Sequence, residues 1–172
     1  MNNKNASGAF ILLLTSVLAG QASAQGSGIT FNSNAADLAQ IRGVFEEFRQ
    51  DIIRKDGAAL TKLLLNPKVL FHQINTQEEV DIARRNHAQF DGIGPSQLDG
   101  FTSFLATSQD KLEERFHNIE IRQDGDLGLM TANYDFVIND KVSNSGLEVW
   151  QLCKIDRQWK IVSVVWTVDS RS

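Results

Sequence analysis

The chain has 172 residues, 42% of them hydrophobic and 22% charged, with a formal charge of −4. That length suits one domain with a sizeable core, and the mild acidity argues against a general nucleic-acid binder, which would show a basic patch. A lone cysteine, Cys153, excludes an internal disulfide; set in the apolar run Leu152-Cys153-Lys154-Ile155, it reads as a small buried hydrophobe.

Lys4 precedes an apolar run, Ala9 to Ala19, followed by small residues at Ala22 and Ala24. This is the pattern of a secretory signal peptide over 1–24, cut after Ala24, so a secreted or periplasmic location is expected. The run is shorter than the roughly 20 residues of a membrane span, so no stable membrane insertion is expected. Residues 25–34 are small and polar and read as a flexible lead-in, leaving 35–169 as a single domain.

Leu38, Ile41, Phe45, Phe48 and Ile52 recur every three or four residues, which predicts an amphipathic helix with Asn34 as its N-cap. Asp56-Gly57 breaks it. A second short helix runs from Ala58 to Leu65 and stops at Asn66-Pro67. Val69 to Ile74 is rich in β-formers and reads as a strand. Between Asn75 and Gly100, Glu78 to Ala88 fits either a helix or a strand plus loop, and the cluster Asp91 to Pro95 is a turn. Phe101 to Phe116 reads as a helix with Glu113 and Glu114 exposed. Strands follow over His117–Arg122, Leu127–Asn139, Gly146–Ile155 and Trp159–Val168. Their short turns, including Asp124-Gly125 and Asp140 to Asn144, imply an antiparallel meander.

This order of elements, with the motifs Asp124-Gly125-Asp126, Tyr134-Asp135-Phe136, Gly146-x-Glu148-x-Trp150-x-Leu152 and Trp159-Lys160-Ile161-x-Ser163-x-x-Trp166, resembles the nuclear transport factor 2-like superfamily over Ala35 to Val168. Within it the chain is similar to secreted, SnoaL-like bacterial members. The resemblance implies an α+β fold in which a curved antiparallel or mixed sheet wraps N-terminal helices into a cone enclosing a pocket. It also implies a homodimer. Such proteins include isomerases, dehydratases, hydrolases and pure binding or assembly modules, so function rests with the side chains lining the cone.

Strand alternation puts Met130, Ala132, Tyr134, Phe136 and Ile138 on one face, and Glu148, Trp150 and Leu152 on one face of the next strand. The resemblance favours these as inner faces. Tyr134, Phe136, Trp150 and Trp166 are therefore candidate ligand-binding residues. Glu148 is a candidate catalytic residue, because a carboxylate desolvated beside Trp150 has a raised pKa; the plainer reading is a solvated glutamate at the sheet rim. His72 shares a face with Leu70 and Ile74 and is either a core residue or a second catalytic candidate. Arg85, in the run Arg84-Arg85-Asn86-His87, either meets an anionic group at the pocket mouth or lies on a solvated turn.

The three histidines have no metal-ligand spacing, and no phosphate-binding glycine motif or GxSxG elbow occurs, so no metal or cofactor is expected. With Tyr134 the only tyrosine and Asp135 on the opposite parity, the steroid isomerase pattern of that superfamily is not met. The first expectation is a protein that binds a small, largely apolar molecule, without nucleic acid. A cofactor-independent acid–base enzyme (isomerase, dehydratase or hydrolase) is the alternative, and an adaptor or assembly module is a third class. Paired titratable groups in the lining would favour the enzyme.

Overall fold

A computed structural model describes residues 30–93 and 96–169; segment 1–24, expected to be a signal peptide, lies outside the described residues. Helix α1 (Ala35–Arg54) starts at Asn34, whose side chain accepts from the Asp37 amide, and ends at Lys55 in the left-handed conformation. Its stripe of Ile41, Phe45, Phe48 and Ile52 is buried, as its spacing requires. Helix α2 (Gly57–Leu63) is capped by Asp56. Strand β1 (Leu70–Gln73) leads into α3 (Gln77–Asn86), where Thr76 and Glu79 form a reciprocal capping box. Helix α4 (Leu98–Thr107) precedes the long strands β2 (Leu112–Asp124), β3 (Leu127–Ile138), β4 (Lys141–Ile155) and β5 (Gln158–Trp166).

The expected helix over 101–116 is thus two elements. It ends at Thr107, and Leu112 to Phe116 pairs with β3 as the start of β2, Glu114 opposite Phe136. Lys111-Leu-Glu-Glu-Arg is a run of good helix formers, but propensity yields where a strand completes a ladder and buries Leu112. The expected turn over Asp140 to Asn144 is likewise shorter. Asn139 and Asp140, both at positive φ, make the two-residue reversal, and pairing resumes at Lys141.

The sheet is mixed, in the order β1-β5-β4-β3-β2. β2 to β5 form the antiparallel meander, and β1 lies parallel to β5. Register shifts at His117/Glu120, Phe136/Val137 and Gln151/Leu152 mark bulges, which bend strands and raise local twist. The sheet is accordingly curved and unclosed, and its inner face receives α1. The fold is the α+β cone that the sequence predicts. From Phe31 onward the chain forms one compact unit. The end of the lead-in is fastened to it: the Ser33 hydroxyl donates to the Gln123 carbonyl at 2.6 Å, and the Asn34 amide donates to Gln123 Oε1 at 2.9 Å.

At the same end of α1, the buried Asp37 accepts from Lys154 Nζ at 2.5 Å, from Trp159 Nε1 at 3.1 Å and from Asn34 Nδ2 at 2.7 Å. These donors, Lys154 foremost, hold its carboxyl down at about 2. The core itself is aromatic. Trp150 is fully buried, with ring centroids of Phe48 and Phe45 at 4.7 and 5.2 Å and that of Phe116 at 6.4 Å.

Gly146 in β4 lies under the backbone that leaves β5. A Cβ there would sit 2.0 Å from the Thr167 carbonyl oxygen and 3.1 Å from the Tyr134 ring, whereas a Cβ at Gly43 in α1 would meet nothing within 4 Å. Urea unfolding of Gly146→Ala should show a loss of about 1–3 kcal/mol from forced displacement. Gly43→Ala should gain up to about 1 kcal/mol, as at an open helical site.

Candidate functional site

Three neighbouring rungs of the sheet build the site. On the first, Glu114 of β2 lies opposite Phe136 of β3, which lies opposite Asn144 of β4. On the second, Phe116, Tyr134 and Gly146 are aligned. On the third, Ala132 lies opposite Glu148, which lies opposite Trp166 of β5. Period-two alternation turns all of these to the inner face. Gly146 and Ala132 contribute almost no side-chain volume in the middle of that face, and a cavity of about 180 Å³ lies over it. Phe48 of α1, Phe71 of β1 and Phe101 and Phe104 of α4 close it from the helical side, against Tyr134, Phe136 and Trp166.

Two carboxyl groups enter this aromatic chamber. Glu114 and Glu148 are each only 5% exposed. Burial pushes Glu148 up to about 7, opposed by the Trp150 indole, whose Nε1 donates to its Oε2 at 2.6 Å. Burial pushes Glu114 well above the usual carboxylate range, and the charge of Glu148 adds to the rise. Among the described residues no side chain donates a hydrogen bond to Glu114, and no cation pairs with either group. Burial thus disposes each carboxyl to hold a proton near neutral pH, and the charge on Glu148 opposes ionisation of Glu114. The Tyr134 hydroxyl donates to the Thr167 carbonyl at 3.0 Å. Burial, then Glu148 and Glu114, push its pKa further up, so it stays protonated.

The sequence candidates divide accordingly. Glu148, Trp150, Tyr134, Phe136 and Trp166 are brought together: four line the chamber and Trp150 binds Glu148 from beneath. His72 does not share that lining. It borders an adjoining cavity of about 610 Å³, outside the chamber, and it is buried. Arg85 is exposed on α3 and lines neither cavity. The partner of Glu148 is Glu114, which the helical reading of 101–116 had placed on a solvated face. The alternation Leu112-x-Glu114-x-Phe116, continuing the β2 strand backward, is the signal that finds it. Among the described residues no group of three or more His, Cys, Asp or Glu is arranged to hold a metal, and no helix is long and apolar enough to cross a membrane.

No protein-family model matches the sequence, and a comparison with curated proteins finds no match. Solved structures do match in fold. An NTF2-like protein of unknown function from Pseudomonas putida is similar at 12% identity with a TM-score of 0.59, over 80% of this chain and 92% of that one. A Streptomyces avermitilis protein, provisionally described as a dehydratase of the NTF2-like family, is similar at 13% identity and a TM-score of 0.58, over 78% and 96%. An NTF2-like protein from Cytophaga hutchinsonii gives 15% identity and 0.55, over 80% and 100%. The fold is therefore that of the nuclear transport factor 2-like proteins.

A carboxyl whose pKa is raised by folding releases its proton later in the native state than in the unfolded one. The native state then binds more protons between the two values, so stability falls as pH rises from about 4.5 to about 7. Glu148→Gln keeps the shape and the acceptor for Trp150 while removing the charge. At pH 8 it should stabilise the protein by up to about 3 kcal/mol, and urea unfolding across pH 4–8 should show a flattened profile.

Proposed function

We propose that the chain is an acid–base enzyme acting on a small, largely apolar molecule that carries a carbonyl group. The observation that supports this reading is the pair of buried carboxyls lining one aromatic chamber, both with raised pKa, so that one can hold a proton while the other accepts one. Glu148, as carboxylate, removes a proton from carbon beside the substrate carbonyl. Glu114, as acid, donates its proton to the oxygen that gains the charge. Where a carbon–carbon double bond adjoins that carbon, Glu148 returns the proton to the far end of the resulting dienol while the dienol hydroxyl gives its proton back to Glu114, which completes an isomerisation. If the substrate instead bears a hydroxyl one carbon further on, the carbon–oxygen bond breaks and water leaves with the proton. The description of the Streptomyces avermitilis neighbour is in keeping with that second outcome. Positioned proton transfer of this kind typically contributes 10²–10⁴-fold, and exclusion of water strengthens it. The signal-like N-terminus supports a secreted or periplasmic setting for this activity.

Cyclic ketones incubated with the protein in D2O should gain deuterium beside the carbonyl, followed by mass spectrometry. Glu148→Gln should lower that rate at least about 100-fold, and Glu114→Gln should lower it to a smaller extent. Exchange that survives Glu148→Gln unchanged rejects Glu148 as the base. Retention of a ketone without exchange favours the simpler binding protein, for which the aromatic walls are already suited.

A further inference from the structure

Asn144, Gly146 and Glu148 are successive inner-face positions of β4, opposite Phe136, Tyr134 and Ala132. The chamber lies over the gap that Gly146 leaves, so the carboxyl of Glu148 bounds it on one side and the amide of Asn144 on the other. Four residues of strand separate them, about 13 Å between Cα atoms at about 3.3 Å per residue. Asn144 owes this place to a bulge. From the hairpin turn, Lys141 pairs with Ile138 and Val142 with Val137, and regular alternation would next set Ser143 opposite Phe136 and turn Asn144 outward. Ser143 is instead the extra residue, so Asn144 takes the inner position, with Gly146 and Glu148 following it.

Asparagine is depleted in strands, so its amide on this face calls for a use. Tyr134 already donates to the Thr167 carbonyl, and Glu148 already accepts from Trp150. The side chain of Asn144 makes no hydrogen bond with another described residue, which leaves two N–H donors and a carbonyl for an occupant. It is half-buried while both carboxyls are enclosed, so it meets the outer end of whatever the chamber holds. An apolar cavity of about 150 Å³ takes one benzene ring, so the chamber, at about 180 Å³, takes one ring with a small substituent. No lysine or arginine lines it. An anionic substituent would face two carboxyls without a counter-charge, and an ammonium would keep Glu114 ionised and remove the acid. An uncharged hydroxyl or carbonyl is what fits.

We propose that Asn144 sets the specificity of the chamber by hydrogen-bonding a neutral oxygen group carried on the substrate ring, away from the carbon that gives its proton to Glu148. This rests on the acid–base reading of the chamber. It adds that the substrate is a single-ring ketone with a second, uncharged oxygen function. Asn144 selects this substrate and takes no part in the proton transfer.

Cyclohexanone, 4-methylcyclohexanone and 4-hydroxycyclohexanone test this, with binding read by quenching of tryptophan fluorescence. Each Kd is taken relative to that of cyclohexanone on the same protein. Methyl and hydroxyl are close in size, so the ratio of their affinities reports the hydrogen bond and not the fit. In Asn144→Leu that ratio should move about tenfold against the hydroxyl compound, the loss of one good hydrogen bond. Asn144→Ala should move it in the same direction, which separates the lost amide from the shape of leucine. Both variants should unfold at the wild-type urea midpoint. A ratio that stays at the wild-type value in both variants overturns the proposal. So does a shift confined to Asn144→Leu, or a weakening of the methyl and hydroxyl compounds alike together with a lowered midpoint. Failure of the acid–base reading has a different signature: deuterium exchange indifferent to Glu148→Gln while the Asn144-dependent preference persists.

Discussion

The indole of Trp150 ties the core to the chamber. Its ring is enclosed by Phe45, Phe48 and Phe116, so α1, β2 and β4 meet on it. Its single donor, Nε1, is buried with it and must find an acceptor inside the protein. Glu148, two residues earlier on the same strand face, is that acceptor. The hydrogen bond favours the charged carboxylate, yet burial acts more strongly in the opposite direction, and the group emerges near neutrality. Truncating a buried aromatic residue of this kind costs roughly 3–5 kcal/mol. A core with that much packing energy can hold a carboxyl whose desolvation costs about as much as its shift implies, ~3 kcal/mol.

Asp37 and Trp159 show how the same donor produces the opposite result. There too an indole N–H donates to a buried carboxyl. Asp37, however, also receives Lys154 and Asn34, and its pKa falls to about 2. Its contribution to stability is present above the unfolded value and is lost only as pH drops through the acid range. Glu148 has the indole and a second carboxyl as neighbours, with no cation, so its effect runs the other way and sets in between pH 4.5 and 7. One end of α1 is thus fixed by a carboxylate that is always charged, while the chamber contains carboxyls poised to exchange protons. The difference lies in the added donors on Asp37, Lys154 and Asn34, and in burial, which is the largest influence on Glu148.

Much of this was legible before any coordinates. Strand parity placed Tyr134 with Phe136 and Glu148 with Trp150, because alternation is rigid wherever one face of a sheet is buried, and the resemblance turned both faces inward. Asn34 as N-cap and the buried stripe of α1 followed from spacing in the same way. Glu114 did not. Leu112 and Phe116 are four apart, which suits a helix as well as a strand, and the intervening glutamates and arginine favour a helix locally. Only pairing with β3, a contact remote in sequence, decides between them. Glu78 to Ala88 stayed open between helix and strand until the structure showed the capping box at Thr76 and Glu79 that starts α3, and the aromatic walls from α4 depend on how that helix is set against β1. His72 could be read as buried, but which of the two spaces it meets is a property of the assembled fold.

The chamber also depends on the chain that leaves β5. The Thr167 amide donates to the Leu147 carbonyl and the Asp169 amide to the Ser145 carbonyl, so the segment continues alongside β4 past the last rung of the ladder. It passes so close to Gly146 that no side chain fits there. The Thr167 carbonyl that excludes a side chain from Gly146 also accepts the Tyr134 hydroxyl, holding that ring against the gap. A single backbone segment thus imposes the glycine, orients the tyrosine and leaves the space between Glu114 and Glu148 unfilled. An apolar side chain at that rung would separate the two carboxyls and relieve their mutual effect. The empty middle of the inner face is therefore a structural consequence of where the tail docks, and the coupled carboxyl pair follows from it.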